Sequence, residues 1–157
     1  MSDYAKINDL IKNIRIAMVT FSTEEGHLHA VPMTTQNKEF NGVIWFIGSK
    51  KSELVQNLPK NNQVNLAYST SSNNYVSIHG TGELVNDSII LDELWSPAYN
   101  AFFEGGKEDP DIQLLQITAH GAQYWEGDGT IVTLFKLTKA ALSGETEKLG
   151  TSHTTTL

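Results

Sequence analysis

The dipeptide Asn41-Gly42 most constrains this chain, because it supplies positive φ between two stretches that read as strands. Upstream, from Leu28, an extended run carries Pro32 in its interior. Downstream, Val43 to Ile47 is a β-branched and aromatic run too short for a helix. Gly48-Ser49 breaks that run. Lys50 to Leu58 then has helical spacing at Leu54, Val55 and Leu58 until Pro59 stops it. Residues 28–58 are thus expected to form strand, turn, strand and short helix. Proline cannot donate to a ladder, so Pro32 marks an edge or a bulge. A bulge would leave the backbone N–H groups of Met33, Thr34 and Thr35 free for a ligand.

The helix start carries an oddity. Lys50 and Lys51 sit where the macrodipole is positive and an acidic residue is expected. Cations there are mildly unfavourable unless an anion is held nearby. Gly48, Ser49 and Ser52 add backbone N–H groups and hydroxyls at the same point, which is how a phosphate site is assembled. Two readings stand: a phosphate cradle, or two lysines pointing into water. The Walker spacing GxxxxGK[ST] is absent.

Elsewhere the signals are mostly strand signals. Ser2 can cap a helix to about Ile14, with Ile7, Leu10, Ile11 and Ile14 on one face. Ile16 to Ser22 reads as a strand, followed by a turn over residues 23–26. Gln63 to Ser69 alternates, and Tyr75 to Val85 is a long strand in which Gly80 and Gly82 suggest close approach by backbone or ligand. Asp87 caps a helix through Trp95, broken at Pro97, with a further short helix to Phe103. Ile112 to Thr118, Ala122 to Glu126 and Thr130 to Leu137 read as three strands. Residues 1–142 form one domain, and the Thr-rich stretch 143–157 is a polar tail, either frayed or lying on a partner. The fold class is mainly β with inserted helices, a barrel of six to eight antiparallel strands.

Composition excludes several function classes. A net charge of −7 argues against nucleic acid as a partner. With no cysteine there is neither disulfide nor thiolate metal site, and a cytoplasmic setting fits. No apolar run addresses the chain to a membrane. Arg15 is the sole arginine, so an anion elsewhere must be held by lysines, amides and hydroxyls. His27 and His29 have i, i+2 spacing but no third ligand, and no metal is expected. His79, inside the long strand, reads as a satisfied imidazole or a ligand contact. Trp45, Phe46, Trp95, Phe102, Phe103 and Trp125 can pack a core or wall a flat ligand. The residues alone reach a small barrel holding a flat, phosphorylated small molecule.

The stretch from Asp92 to Asp128 carries Leu94-Trp95 with Pro97, the pair Phe102-Phe103, Asp109-Pro110-Asp111, Leu114-Leu115 and Gln123-Tyr124-Trp125. Upstream are Trp45-Phe46, the strand Asn61 to Tyr68, and Tyr75-Val76-Ser77. Together these resemble the general stress protein group of FMN-binding split barrels, related to pyridoxamine 5′-phosphate oxidase. The resemblance covers about residues 5–142. It implies a split β-barrel homodimer with FMN in clefts at the subunit interface. Pro32, Met33, Thr34 and Thr35 would line the isoalloxazine edge. Phe46, Ile47, Gly48 and Ser49 would follow the ribityl chain, and Ser49, Lys50, Lys51 and Ser52 the phosphate. Ser77 and His79 would close the site, with Trp95, Phe102 and Trp125 walling the ring.

Two departures fall on phosphate positions. Relatives often have Arg-Pro-Met where this chain has Val31-Pro32-Met33, and Ser-x-Lys where it has Ser52-Glu53-Leu54. Lys50 and Lys51, one turn earlier, would replace the missing cations. The resemblance implies a flavin oxidoreductase acting on a small molecule or, alternatively, a non-catalytic protein that stores or senses flavin. It does not imply pyridoxamine phosphate oxidase activity itself, because the Arg-x-His pair of those oxidases has no counterpart after Trp125. No protein residue need be a catalytic acid or base, since the hydride chemistry belongs to the flavin.

Overall fold

A computed structural model of the chain describes residues 3–36, 38–127 and 151–157. Its helices are α1 (Asp3–Ile11), α2 (Glu53–Asn57) and α3 (Ser88–Leu94), and its strands are β1 (Ile16–Ser22), β2 (Leu28–Thr34), β3 (Val43–Ser49), β4 (Gln63–Ser69), β5 (Tyr75–Val85), β6 (Ile112–Glu126) and β7 (Thr151–Thr156). Period-two alternation forms the sheet. In β1, Ala17, Val19 and Phe21 are buried while Ile16 and Met18 face outward, and β4 and β5 repeat the pattern.

Neighbouring strands are antiparallel in the order β2-β1-β4-β5-β6-β3. β6 is long enough to hold two partners along its other edge, β3 against Ile112 to Thr118 and β7 against Gly121 to Glu126. The sheet curls without closing, so the fold is a split barrel. The split lies between β2 and β3. Asn41-Gly42 therefore does not close a hairpin: Gly42 takes φ +100, but the strands it joins pair with β1 and β6 instead. That register puts the β3 residues Phe46 and Ile44 inside the barrel against β6, a burial that a β2–β3 hairpin would have to reproduce.

The sequence divides β6 at Gly121, whereas the strand runs on. His79 pairs with Gly121 and Gly80 with Ala119, leaving His120 as the extra residue of a bulge. Gly80 is required there, because a Cβ would lie 2.2 Å from the Thr118 carbonyl oxygen. At Gly82 the close neighbour is the Leu58 side chain, whose methyl groups lie 2.9 Å from where a Cβ would stand.

Leu66, Ile78 and Leu115 are fully buried in the main core inside the curl. Each such side chain stabilises the fold by roughly 1.5–3 kcal/mol. A second cluster lies outside the barrel, where Leu94, Tyr99 and Phe103 cover Ile47 and Leu114 of β3 and β6. Asp87 caps α3 as expected, accepting from Ile89 N (3.0 Å) and Ile90 N (3.1 Å). A 3-10 turn, Pro97–Ala101, then folds the chain back over β3. α1 stops at Ile11 rather than near Ile14, because the chain must turn to enter β1. The Ser2 cap and the Thr130 to Leu137 strand fall outside the described residues. The end of the tail forms β7 on its own chain, with His153 stacked on Tyr124 at 4.8 Å. Among the described residues no helix is long and apolar enough to cross a membrane.

Candidate functional site

Among the described residues β2 and β3 each keep one edge unpaired, and these two edges face one another across the split. Thr35 N donates to Arg15 O and Thr23 N to His27 O, both at 2.8 Å. Odd-numbered residues of β2 therefore turn their backbone groups toward β1, and even-numbered ones toward the split. Ala30 and Thr34 present N–H and C=O to the opening; Pro32 presents C=O alone. A proline costs no ladder bond at that position, which accounts for its place in β2. The β1–β2 register is unbroken from Ile16 to Ser22, so Pro32 marks an edge and not a bulge. Of the three amides expected to be free, only that of Thr34 points outward.

Met33 and Gly48 bring the two lips together, the Met33 Cε lying 3.5 Å from where a Gly48 Cβ would be. Beyond Gly48 the chain turns before α2. Ser52, not Lys50, is the N-cap, and its hydroxyl accepts from Val55 N at 3.3 Å. Glu53 then fills the first helical turn, where an acid is favourable. The unfavourable placement of the lysines disappears, since both precede the cap. Lys50 and Lys51 are exposed, and neither forms an ion pair among the described residues.

Their surroundings are partly acidic. The Ser49 hydroxyl donates to Asp111 Oδ2 at 2.5 Å, and Lys50 N donates to Asp111 O at 2.8 Å. Asp111 Oδ1 is buried without a hydrogen-bond partner among the described residues. N–H donation from Asp111 and Gly105 holds the Asp109 carboxyl below its ordinary range, with a smaller contribution from the Lys51 charge. Leu54 is core, at 2% exposure, and Val31 packs against the same core. The positions where relatives carry a lysine and an arginine are thus turned into the apolar interior. The Ser49 hydroxyl is thus engaged within the chain, and the two lysine side chains are the exposed cationic groups of this turn. Across this end of the split, His29 Nδ1 pairs with Glu53 Oε1 at 2.5 Å.

At the other end the split opens into a cleft of about 680 Å³. Thr34, Thr35, Trp95, Phe102 and Arg15 are among the residues that line it. Four of the residues singled out in the sequence therefore meet in one concavity. Trp95 is fixed by Tyr99 (5.3 Å between ring centroids) and Phe103 (6.1 Å). The Gln36 amide donates to the Tyr99 hydroxyl, whose pKa burial raises, the hydrogen bond opposing that shift. A second cavity of about 260 Å³ adjoins at Thr35 and Gln36 and reaches inward to Tyr68 and Trp45. Arg15, Gln36 and Tyr99 were not marked by the sequence as site residues. Arg15's uniqueness was its only signal.

The remaining expected residues are placed differently. Phe46, 1% exposed, and Ile47 are core side chains that can offer a ligand only backbone. Ser77, His79 and Trp125 lie on the outward sheet face and line neither cavity. Ser77 accepts from Asn65 Nδ2 at 2.9 Å, the His79 ring sits over Gly121, and Trp125 stands opposite Tyr75.

The family described as pyridoxamine 5′-phosphate oxidase like matches residues 2–148. Among solved structures, a general stress FMN/FAD binding protein from Xanthomonas citri is 33% identical with a TM-score of 0.70, covering 81% of this chain and 90% of that one. A protein assigned to the general stress family in Xanthomonas campestris is 34% identical (TM-score 0.69; 83% and 93% covered). One assigned as general stress protein 26 in Jannaschia sp. CCS1 is 29% identical (TM-score 0.73; 97% and 96% covered). No curated protein matches.

Proposed function

Since the chain belongs to the pyridoxamine 5′-phosphate oxidase-like family, we propose that it binds FMN along the split and serves as a cytoplasmic flavin oxidoreductase for a small molecule. The observation that carries this reading is the split itself. It joins an aromatic-walled cleft with a free amide edge to a turn bearing two unpaired ammonium groups. If Met33 is level with Gly48, Thr35 is level with Phe46, four residues before Lys50. At the strand rise that separation is about 13 Å, a span suited to a tricyclic ring, an extended ribityl chain and a phosphate. The Xanthomonas citri relative, described as binding FMN or FAD, supports the same assignment.

In this arrangement Thr34 N–H meets the ring edge, while Trp95 and Phe102 flank it, and the Pro32 carbonyl, level with Ser49, lies beside the ribityl chain. Backbone of Phe46 to Ser49 follows the ribityl chain, and Lys50 and Lys51 neutralise the phosphate. When bound, the flavin supplies the hydride chemistry, and the protein positions and tunes it. Ser77, His79 and Trp125 join the site from a second copy. The outward sheet face supports a homodimer: it exposes Ile16 (49%), Met18 (40%), Leu28 (75%), Tyr75 (47%) and Trp125 (36%) together. A stable dimer there should bury at least about 1,000 Å².

Fluorescence-quenching titrations with FMN and riboflavin test the assignment, and FMN is expected to bind more tightly. Equal affinities would remove the phosphate site from the reading. Flavin reduction by a nicotinamide donor under anaerobic conditions separates an oxidoreductase from a protein that only stores flavin.

A further inference from the structure

Beside its aromatic wall, the cleft of about 680 Å³ carries a charged group that the flavin reading does not use. Arg15 lies there, exposed and without a side-chain partner among the described residues. The other charges lining the cleft are already matched: Lys12 by Asp9 at 2.9 Å, and Glu93 by Lys38 at 3.5 Å. One uncompensated positive charge remains, on a protein whose net charge is −7. Beside it stand aromatic surfaces. Phe102 is 72% exposed, while Trp95 is held in place by Tyr99 and Phe103. A phenylalanine so exposed gains almost nothing from folding, whereas it can cover apolar ligand surface. A guanidinium fork beside a flat aromatic wall matches a planar molecule carrying a carboxylate, which takes two parallel hydrogen bonds from arginine.

We propose that the cleft lined by both Arg15 and Phe102 binds a small aromatic carboxylate. The carboxylate lies on the Arg15 guanidinium and the ring against Phe102 and Trp95. This names the substrate class for the flavin reading on which it rests: the ligand ring shares the Trp95 and Phe102 wall with the isoalloxazine, and Arg15, which the flavin does not use, is the group that distinguishes the two.

The test is isothermal titration of the full-length protein, saturated with FMN, using 1-naphthoate and its neutral near-isostere 1-naphthamide. Naphthoate is expected to bind more tightly than the amide. Arg15→Ala should weaken naphthoate at least tenfold while leaving the amide and FMN unchanged, and Phe102→Ala should weaken both probes. Equal losses for both probes in Arg15→Ala, or no loss, would overturn the proposal. Displacement of naphthoate by FMN in flavin-free protein would also overturn it, because the anion would then occupy the flavin's own place. Failure of FMN to bind, with naphthoate still discriminated by Arg15, would instead sink the flavin reading and leave this site standing.

Discussion

Changing Lys50 and Lys51 together to alanine isolates the phosphate end of the split. Charge-assisted hydrogen bonds contribute about 1.5–3 kcal/mol each when well shielded. Both ammonium groups are exposed, and Asp109 and Asp111 lie close by, so about 1–1.5 kcal/mol each is the reasonable share. The double variant should then lose about 2–3 kcal/mol, or roughly 30- to 140-fold in the FMN dissociation constant. Riboflavin affinity should not move. Stability should not move either, because the lysines precede the Ser52 cap and form no ion pair among the described residues. Salt supplies an internal control: wild-type FMN affinity should fall as ionic strength rises, and the variant's should barely respond. Flavin fluorescence titrations of both proteins, with FMN at two salt concentrations and with riboflavin, give these constants. An unchanged FMN constant, or an equal loss for riboflavin, would refute the reasoning and return both lysines to the solvent.

Other outcomes are expected from the same structure. Gly80→Ala places a methyl 2.2 Å from a backbone oxygen, so β5 and β6 must part at the bulge; urea unfolding should show a loss of about 3 kcal/mol or more. Ser52→Ala removes the α2 cap and should cost about 1 kcal/mol in the same assay. The Asp109 carboxyl has a depressed folded-state pKa, so its stabilisation is present above the ordinary aspartate range and is lost as pH falls through the folded value; Asp109→Asn should flatten that acid limb of a pH–stability curve. Pyridoxamine phosphate, supplied with FMN and oxygen, should not be turned over at about 1 per second or faster, because no arginine follows Trp125 to clamp a substrate phosphate.

Local rules make much of the chain legible. Alternation marks β1, β4 and β5; Asp87 announces α3; Pro32 announces an edge or a bulge, and the structure makes it the edge. Each is a property of a few adjacent residues, where sterics and burial act over one or two turns of chain. The family resemblance likewise marks Thr34, Thr35, Trp95 and Phe102, which meet in the cleft. Boundaries are less legible. The sequence places the start of α2 two to three residues early, because Lys50 and Lys51 suit a helix as well as the turn that contains them.

Pairing lies beyond the sequence. Asn41-Gly42 sets a positive φ at Gly42, yet whether β2 and β3 would then join depended on β6, which lies about seventy residues downstream. β6 offered Leu115 and Ile117 as neighbours for Phe46 and Ile44, and the hairpin was left open as the split. The bulge at His120, the engagement of Ser49 by Asp111 and the meeting of Arg15 and Phe102 in one cleft arise in the same way. The sequence by itself determined where the backbone extends, coils and turns, because those choices are local. Only the tertiary structure decided which edges stayed unpaired and which charges met, because burial of the shared core is won by contacts between residues far apart in the chain.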